Sequence, residues 1–395
     1  MAKDKRDKKI KILGIFQFFY PVRGGSVRYH ENIYNELIST GKAEVEVICY
    51  NTEGLKRRDT LGKIKVHRIP CFKIVKDTFY LPNPYYLVKK LHEIRKNKYT
   101  HVHSRGVFFT PILFSWAYAK IIKAKSVFTV HCADFPNHSS KLVVLVSKYF
   151  ELIFSAFCLK RFDFITCENK QAVKFLKEKL GVKNKKLELV YSGVSLKELT
   201  DTTDSSRIIP KINKKINKNS NVFIYIGRLI EAKGPDKFLK ACIQLIEENK
   251  AGDSYFVIGG PGNLLPSIKK EAKKYSDRIF VLGDLNYKQV TQLYNNSNVY
   301  VLPTKHHEGL PLSIIEAGAT KNLVMVTAVG GIKEVINKNT GYFIKPTVQS
   351  IKKGIVWYLN NKKQANVLVN NLHKKVVKDH TINVTAKKFY DVITK

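Results

Sequence analysis

Two acidic residues, Glu308 and Glu316, stand seven residues apart in the run HEGLPLSIIEA. Gly309 and Pro311 precede an apolar stretch, so the pattern predicts a turn and then a helix that begins at about Leu312. The first carboxylate then lies on the loop, and the second lies about one turn into the helix. In isolation, such a pair would usually be a loop acid and a solvated helix acid.

The backbone between these two acids would supply the free N–H groups of a helix start, which favour a bound phosphate. Carboxylates on either side of an anion site suit a ligand that carries hydroxyl groups on both sides of a diphosphate, as a nucleotide sugar does. We therefore expect four consecutive residues to bind this donor: Gly309, Leu310, Pro311 and Leu312.

Arg228 and Lys233 follow a predicted strand at 222–226 and lie between Gly227 and Gly234. A guanidinium and an ammonium together can hold a diphosphate and stabilise it as it leaves. In a chain with 69 Lys and Arg residues, a basic pair alone carries little weight. Their position at the end of a strand, between two glycines, is what makes them candidates.

Several glycine turns follow predicted strands. Gly24 and Gly25 separate the first strand from the first helix, and Gly260 lies in the turn IGGPG. A third turn, AVGGIKE, spans residues 328–334. None of these matches G-x-G-x-x-G, so a dinucleotide fingerprint is not supported. Each turn alone has an ordinary structural explanation, whereas several at consecutive strand ends indicate a nucleotide pocket.

Three further polar residues end predicted strands in the first half of the chain: His103, His131 and Glu168. The simplest interpretation of each is a hydrogen-bonded residue at the domain rim, and we prefer it for His103. His131 is the better candidate for the site because it would face the turn at Gly24.

Strands and helices alternate along both halves, with strands such as Ile10–Phe16 and Val299–Leu302 and helices such as Leu312–Ala319. This order predicts an α/β protein with two Rossmann-like, doubly wound domains that face a central cleft. The expected boundaries are an N-terminal domain at 1–200, a polar linker at 201–220, a nucleotide-binding domain at 221–372 and a C-terminal helix at 373–395 that packs back on the first domain.

The formal net charge is +37, and the basic excess extends over both halves of the chain. Such a field attracts nucleotide diphosphates, nucleic acid or an anionic membrane. No RNA-recognition or zinc signature accompanies it, so we expect no nucleic-acid partner. The six cysteines form no C-x-x-C pair, and the charged start lacks a secretory core, so the pattern favours the cytoplasm.

Two segments bear on membrane contact. The apolar runs Val107–Ile122 and Leu142–Leu159 are short for a membrane span, and we expect buried helices. Lys56–Lys98 interleaves 13 Lys and Arg residues with aromatic and aliphatic side chains. This mixture suits an anionic lipid surface on the cytoplasmic side, although a solvated, lysine-rich face is the alternative interpretation.

In order along the chain, these motifs resemble the retaining, nucleotide-sugar-dependent glycosyltransferases of family 4, which have the GT-B fold. The resemblance covers nearly the whole chain and is more specific in the second half. Its motifs are PVRGG, TVH, YSGV, GRL with KG, GGPG, the two spaced glutamates and VGGIKE. Gly318 stands where the family usually has Met, and TKNLV at 320–324 also departs from the usual pattern.

The resemblance implies a role for each candidate residue. Arg228 and Lys233 would bind the donor diphosphate, Glu308 the hydroxyls of the donor sugar, and Glu316 the nucleotide ribose. Gly25 would lie under the phosphates, and His131 would contact the sugar. The family pattern also implies transfer with retention to a carbohydrate or lipid-linked acceptor, in cell-surface polysaccharide or glycolipid synthesis. No metal or cofactor is expected, since no Asp-x-Asp is placed to hold a divalent ion.

Three alternatives remain open at this point. The same kind of fold serves sugar-nucleotide epimerases and phosphorylases, although no lysine for pyridoxal phosphate is identifiable. A basic nucleic-acid-binding protein is the second alternative. An inactive glycosyltransferase fold is the third, and the presence of all four charged candidates in the second half argues against it.

Overall fold

The computed structural model describes residues 9–22, 24–75, 79–107, 110–131, 141–183, 186–200, 220–305 and 308–395. The expected linker at 201–220 lies outside these residues, apart from Ser220. The chain forms two compact units. The first contains residues up to Ser192 together with Ile382–Lys395, and the second contains Gly193–Thr381.

The first unit is built on a mostly parallel, eight-stranded sheet. Its strands are β1 (Ile10–Phe16), β2 (Ala43–Tyr50), β3 (Arg58–Leu61), β4 (Ile64–Ile69), β7 (His101–Arg105), β8 (Lys125–Val130), β9 (Phe164–Cys167) and β10 (Leu187–Leu189). The order across the sheet is β10-β9-β8-β7-β1-β2-β4-β3, and only β3 runs antiparallel to its neighbour. A separate antiparallel hairpin consists of β5 (Cys71–Val75) and β6 (Phe79–Pro82).

The helices of the first unit connect these strands. They are α1 (Gly25–Ser39), α2 (Pro84–Ile94), α3 (Pro111–Ile121), α4 (Lys141–Phe150), α5 (Ala156–Leu159), α6 (Lys170–Glu178) and the C-terminal helix Ile382–Ile393. A π-helical turn, Glu151–Ser155, joins α4 to α5. The central strand β1, IKILGIF, has six of seven residues buried because helices cover both faces of a parallel sheet.

The second unit has a six-stranded sheet in which every neighbouring pair is parallel. Its strands are β11 (Asn221–Ile226), β12 (Ser254–Gly259), β13 (Ile279–Gly283), β14 (Val299–Leu302), β15 (Leu323–Thr327) and β16 (Tyr342–Ile344). The order β13-β12-β11-β14-β15-β16 reverses between β11 and β14. Ligands of open α/β sheets bind beyond the carboxyl ends of the strands at such a reversal.

Eight helices flank this sheet in the part of the unit that the structure describes. They are α7 (Leu196–Thr200), α8 (Pro235–Glu247), α9 (Leu265–Ala272), α10 (Tyr287–Asn295), α11 (Leu312–Ala319), α12 (Ile332–Val335), α13 (Val348–Asn360) and α14 (Lys362–Asp379). The two sheets confirm the predicted α/β class with two doubly wound, Rossmann-like domains.

The unit boundaries differ from the expected ones at both ends of the second unit. Residues 193–200 belong to it because α7 packs on α10, where the Asn295 amide donates to the carbonyl of Leu199 at 2.7 Å. The expected single helix at 373–395 is two helices, and the first of these ends at Asp379 in the second unit. The helix Ile382–Ile393 packs on the first unit, and His101 Nε2 lies 2.9 Å from the carbonyl oxygen of Ile393.

The expectation of a buried helix at Leu142–Leu159 is wrong for one of its faces. This segment is helical, and it is apolar and long enough to cross a membrane, yet only 33% of it is buried. Within the described residues it is the single helix with that length and composition. By contrast, α3 in the run Val107–Ile122 buries Ile112 and Tyr118.

Candidate active site

Lys233 and Glu308 meet at the reversal of strand order in the second unit. Lys233 follows β11 and Glu308 follows β14, and these are the two strands at which the order reverses. The Lys233 ammonium donates to Glu308 Oε1, and both side chains are largely buried. Thr304 Oγ1 donates to the same carboxylate oxygen at 3.1 Å. The sequence predicted both charged residues but not that they form an ion pair.

The turn at 328–334 fixes the backbone of Glu308. The Gly331 N–H donates to the carbonyl of Glu308 at 3.0 Å. Gly330 has φ +55, and a Cβ there would lie 2.0 Å from that same carbonyl oxygen. Glycine is required at this position, since any larger residue would displace the loop that carries the carboxylate.

Gly260 supports the loop that carries Arg228. Its φ is +137, and a Cβ there would lie 1.9 Å from the carbonyl oxygen of Gly227. The neighbouring Leu229 N–H donates to the Pro261 carbonyl at 2.7 Å, so the two loops are hydrogen-bonded to each other. Close packing of two loops accounts for Gly260 in this structure, and its contact with a donor stays a prediction.

Arg228 itself is exposed at the end of β11. Its backbone carbonyl accepts a hydrogen bond from the Tyr225 hydroxyl at 2.9 Å, which holds the turn in place. Within the part of the chain that the structure describes, its guanidinium has no carboxylate partner. An anchored backbone with an unpaired guanidinium is well suited to binding an anion.

Glu316 lies in the second turn of α11 and is only 6% exposed. At the start of this helix, the Tyr300 hydroxyl donates to Ser313 Oγ at 2.9 Å. Burial raises the pKa of Tyr300, and the negative charges of Glu308 and Glu316 raise it further. The charges of both carboxylates therefore act on the buried Tyr300 hydroxyl. This hydroxyl remains protonated and donates a hydrogen bond.

The helix start also provides backbone donors. Pro311 occupies the N-cap position of α11 and has no side-chain acceptor to offer. Among the described residues, no acceptor is found for the N–H groups of Leu312 and Ser313. Gly309 and Leu310 lead into this position, as the sequence predicted, and His307 lies outside the described residues.

Three buried tyrosines beneath this site were missed by sequence reasoning. They are Tyr225, Tyr294 and Tyr300, and burial raises the pKa of each hydroxyl. A signal was present, since Tyr225 and Tyr300 interrupt the apolar strands NVFIYI and VYVL. Buried tyrosine hydroxyls normally find a hydrogen-bond partner. Here Tyr225 donates to the Arg228 carbonyl in the loop after β11, and Tyr294 and Tyr300 donate to Ser313 in the first turn of α11.

In the first unit, His131 directly follows β8 and pairs with Glu168, which follows β9. Its Nδ1 lies 2.7 Å from Glu168 Oε2. The other carboxylate oxygen of Glu168 accepts a hydrogen bond from Ser192 Oγ at 2.6 Å. Glu168 is 5% exposed, so a buried carboxylate, itself hydrogen-bonded to Ser192, lies directly beside the imidazole. The simplest sequence interpretation of Glu168 was a hydrogen-bonded residue at the domain rim, and it did not predict His131 as the partner.

The first turns of α1 pack against His131. The rings of Tyr29 and His30 lie 5.2 and 5.1 Å from its imidazole centroid. His103 is hydrogen-bonded to the Tyr34 hydroxyl and to Thr129 Oγ1, as expected, but it lies fully buried in the middle of β7 and not at the domain rim. Burial holds the pKa values of His30 and His103 well below the usual range, so both stay neutral.

Gly24 and Gly25 lie at the start of α1, and both are exposed. A Cβ at either position would meet no atom within 4 Å, so nothing in this structure requires glycine there. Gly24 supplies no side-chain cap, which leaves the N-terminal N–H groups of α1 without that partner. Arg23 lies outside the described residues.

No group of three or more His, Cys, Asp or Glu side chains that could hold a metal ion occurs among the described residues. The expectation that transfer needs no metal stays a prediction.

The Glu168–His131 pair gives a test of positioning. We expect His131→Ala to lower kcat by roughly 10- to 100-fold, the size of effect that follows from misplacing a reacting group. Glu168→Gln should have a smaller effect, since glutamine keeps a polar side chain of the same length beside the imidazole. The matched control is His67→Ala, because His67 forms a similar pair with Glu46 at 3.2 Å. Equal activity of all three variants and the wild type would contradict the role.

The two parallel-sheet units and the charged residues at their strand ends define a glycosyltransferase of GT-B fold. The model "Glycosyltransferase Family 4" matches residues 23–198, which include most of the first unit and the start of the second. The model "Glycosyl transferases group 1" matches residues 207–375. The chain therefore belongs to the GT-B glycosyltransferases of the family 4 type.

Individual relatives agree with this assignment. A UDP-Gal:alpha-D-GlcNAc-diphosphoundecaprenol alpha-1,3-galactosyltransferase of Escherichia coli is 29% identical, over 90% of each chain. The GPI3 subunit of phosphatidylinositol N-acetylglucosaminyltransferase of Saccharomyces cerevisiae is 22% identical, over 95% of this chain and 78% of its own. The crystal structure of HepE from Anabaena, in complex with UDP and glucose, superposes with a TM-score of 0.73 at 14% identity, over 98% and 99% of the two chains.

Proposed function

We propose that this glycosyltransferase moves a sugar from a nucleotide-diphosphate sugar to a hydroxyl group of a lipid-linked acceptor, with retention of configuration. The second unit binds the donor, and the first unit binds the acceptor. The reaction takes place on the cytoplasmic surface of the membrane, in the synthesis of a glycolipid or a cell-surface polysaccharide.

The observation that carries this proposal is the arrangement at the strand reversal of the second unit. Two cations, Arg228 and Lys233, lie beyond β11, and two carboxylates, Glu308 and Glu316, flank the start of α11. Lys233 is held by Glu308, whereas Arg228 has no carboxylate partner among the described residues. Cations beside a helix start suit phosphate, and acids on either side suit sugar hydroxyls.

These groups can perform the chemistry of sugar transfer. When the bond between the sugar and the phosphate breaks, positive charge develops at the anomeric carbon and negative charge develops on the diphosphate. Arg228, Lys233 and the free N–H groups of α11 would stabilise the leaving diphosphate electrostatically. Glu308 would orient the donor sugar and Glu316 the ribose, while His131 would contact the sugar from the first unit. The acceptor hydroxyl attacks on the face that the diphosphate leaves, which retains the configuration.

The printed activities of the relatives support the donor and acceptor classes. The Escherichia coli relative takes its sugar from UDP-Gal, and its acceptor is a diphosphoundecaprenol-linked sugar. The yeast relative is named for phosphatidylinositol. Both names describe a lipid-linked acceptor, and the HepE structure contains UDP. The five cysteines that the structure describes form no disulfide, in keeping with a cytoplasmic site.

A donor screen tests the proposal. Purified protein is incubated with UDP-, GDP-, ADP- and dTDP-sugars and an extract of bacterial lipid-linked saccharides, and both released nucleoside diphosphate and glycosylated lipid are measured. One donor class should yield both products in equal amounts. An altered sugar nucleotide without acceptor would instead indicate an epimerase, and no turnover of any donor would contradict the proposal.

Metal removal gives a separate prediction. Activity should survive excess EDTA, because positive side chains and backbone N–H groups would stabilise the negative charge of the leaving diphosphate, as a divalent ion does in other enzymes. The control is a metal-dependent transferase treated in the same buffer. Loss of activity that Mg²⁺ or Mn²⁺ restores would show that a metal takes part.

A further inference from the structure

The helical segment Leu142–Leu159 exposes large apolar side chains and buries polar ones. Its inward stripe carries Ser147, Glu151 and Ser155, which are at most 2% exposed. Its outward stripe carries large apolar side chains that are 51–69% exposed: Leu142, Leu145, Val146, Tyr149, Ile153 and Phe154. A surface helix of a soluble protein places its large apolar side chains inward, whereas this segment exposes these six.

The inward stripe fixes how the helix lies. Ser155 Oγ donates to the carbonyl of Val107, and Cys158 and Leu159 belong to a buried core that includes Phe128 and Phe162. A helix attached along one side to a packed α/β core cannot cross a bilayer, because that side would have to leave the core. Its outward apolar stripe can lie along a membrane surface instead.

A second exposed apolar surface adjoins the helix. In the hairpin β5–β6, Phe72 and Leu81 are cross-strand partners, and they are 54% and 38% exposed. Phe79 lies two residues before Leu81, on the same face of the strand, and its ring is 6.3 Å from that of Phe150. The hairpin therefore lies beside the helical segment, and both expose large apolar side chains.

The charge around this surface is positive. Between residues 141 and 162 the single acid is Glu151, and it is buried. Lys148, Lys160 and Arg161 are exposed along the same segment. The basic segment Lys56–Lys98 contains the hairpin and α2. Apolar side chains bordered by Lys and Arg match the interface of an anionic leaflet, where basic residues are attracted and apolar ones insert.

We propose that the outward stripe of Leu142–Leu159 and the β5–β6 hairpin form a monotopic docking surface that inserts shallowly into an anionic lipid leaflet. This gives the helix the main apolar role, with the exposed Lys148, Lys160 and Arg161 as its basic residues. Nine residues separate His131 from Lys141 at the start of the helix. Docking would therefore bring the acceptor side of the first unit close to the lipid, and this consequence rests on the proposed function.

Vesicle co-sedimentation tests the surface. The wild type should sediment with vesicles of 30 mol% phosphatidylglycerol in phosphatidylcholine, should release as salt rises, and should stay in solution with phosphatidylcholine alone. The variant L142Q/L145Q/I153Q should lose at least ten-fold in vesicle affinity, since it changes exposed side chains only. The matched control, V367Q/V377Q/V384Q, alters three exposed valines elsewhere and should bind as the wild type does.

The same experiment separates the competing outcomes. Equal binding of the L142Q/L145Q/I153Q variant and the wild type, or equal binding to neutral vesicles, would overturn the proposal. Sedimentation velocity without lipid tests whether a second copy of the chain covers this surface instead. A wild-type dimer that the L142Q/L145Q/I153Q variant cannot form would also overturn the proposal. Nucleotide-sugar turnover without vesicle binding would reject the surface alone, and vesicle binding without turnover of any donor would reject the proposed function alone.

Discussion

Replacing Lys233 by alanine is expected to lower kcat by about two orders of magnitude or more, as loss of one preorganised donor to a developing anion does. Lys233 is held by Glu308 at the reversal of strand order, so its ammonium is fixed before any ligand binds. Arg228→Ala should have an effect of similar size. Arg228→Lys should recover only part of the activity, because lysine cannot make the two parallel hydrogen bonds of a guanidinium. Steady-state kinetics with the best donor measures all three.

The controls separate chemistry from folding. Lys305 is exposed and follows Thr304 in the same loop, so Lys305→Ala tests the loss of a nearby charge and should leave kcat unchanged. Lys233→Ala leaves the Glu308 carboxylate buried without its cation, and the double variant Lys233→Ala/Glu308→Gln removes that burial penalty. Thermal midpoints of the single and double variants report stability. Near-normal turnover in both Arg228→Ala and Lys233→Ala would exclude the assigned roles.

Substitutions of Glu308 and Glu316 are expected to have different effects. Glu316→Gln should weaken binding of the free nucleoside diphosphate, because this carboxylate is assigned to the ribose. Glu308→Gln should leave nucleoside diphosphate binding within a few-fold and should mainly lower kcat, because its partner is the donor sugar. Each buried hydrogen bond to a charged acceptor contributes about 1.5–3 kcal/mol, or roughly 10- to 150-fold.

Calorimetric titration with nucleoside diphosphate, next to kinetics with the intact donor, distinguishes the two roles. Glu334→Gln is a suitable control, since this acid lies in the supporting turn but outside the two flanking positions. Unchanged affinity and unchanged kcat in both variants would refute the assignment. A reversed pattern, with Glu308→Gln losing nucleotide and Glu316→Gln losing turnover, would exchange the roles of the two acids.

The regular elements of this fold could be predicted from sequence because their signals are local. The bounds of Leu312–Ala319 and Val299–Leu302 follow from a turn, a buried apolar run and the next turn, and the structure has the same bounds. The two C-terminal helices were harder to predict as separate elements. The break between α14 and the last helix falls at His380 and Thr381, and it contains neither glycine nor proline. The Thr381 backbone there makes an isolated parallel bridge with Val194, which is a tertiary contact.

The candidate site was predicted residue by residue, but its connections were not. Glycine and acid spacing pointed to Glu308, whereas its ion pair with Lys233 joins residues 75 positions apart. That contact depends on β11 and β14 being neighbours, which is a property of the sheet order. The packing role of Gly260 and the pairing of His131 with Glu168 likewise join elements that are distant in sequence.

The same reasoning explains the departure at Gly318. A Cβ at this position would lie 2.9 Å from side-chain atoms of Leu372 and Val376, so α11 and α14 pack too closely there for a larger residue. The prediction of a buried helix at Leu142–Leu159 was wrong for a related reason. Composition shows that the helix is apolar, but the spacing of Ser147, Glu151 and Ser155 is the signal that polar residues lie on its inward face and large apolar ones on its outward face.

The most direct test of the central claim is calorimetric titration of the purified wild type with UDP, GDP, ADP and dTDP, repeated on Arg228→Ala and Glu316→Gln. The claim is that the second unit holds a nucleoside diphosphate through the cations after β11 and the acids that flank α11. One of the four nucleotides should bind with one site per chain, and its affinity should fall at least ten-fold in each variant. Absence of binding by all four, or equal affinity in the wild type and both variants, would contradict the account.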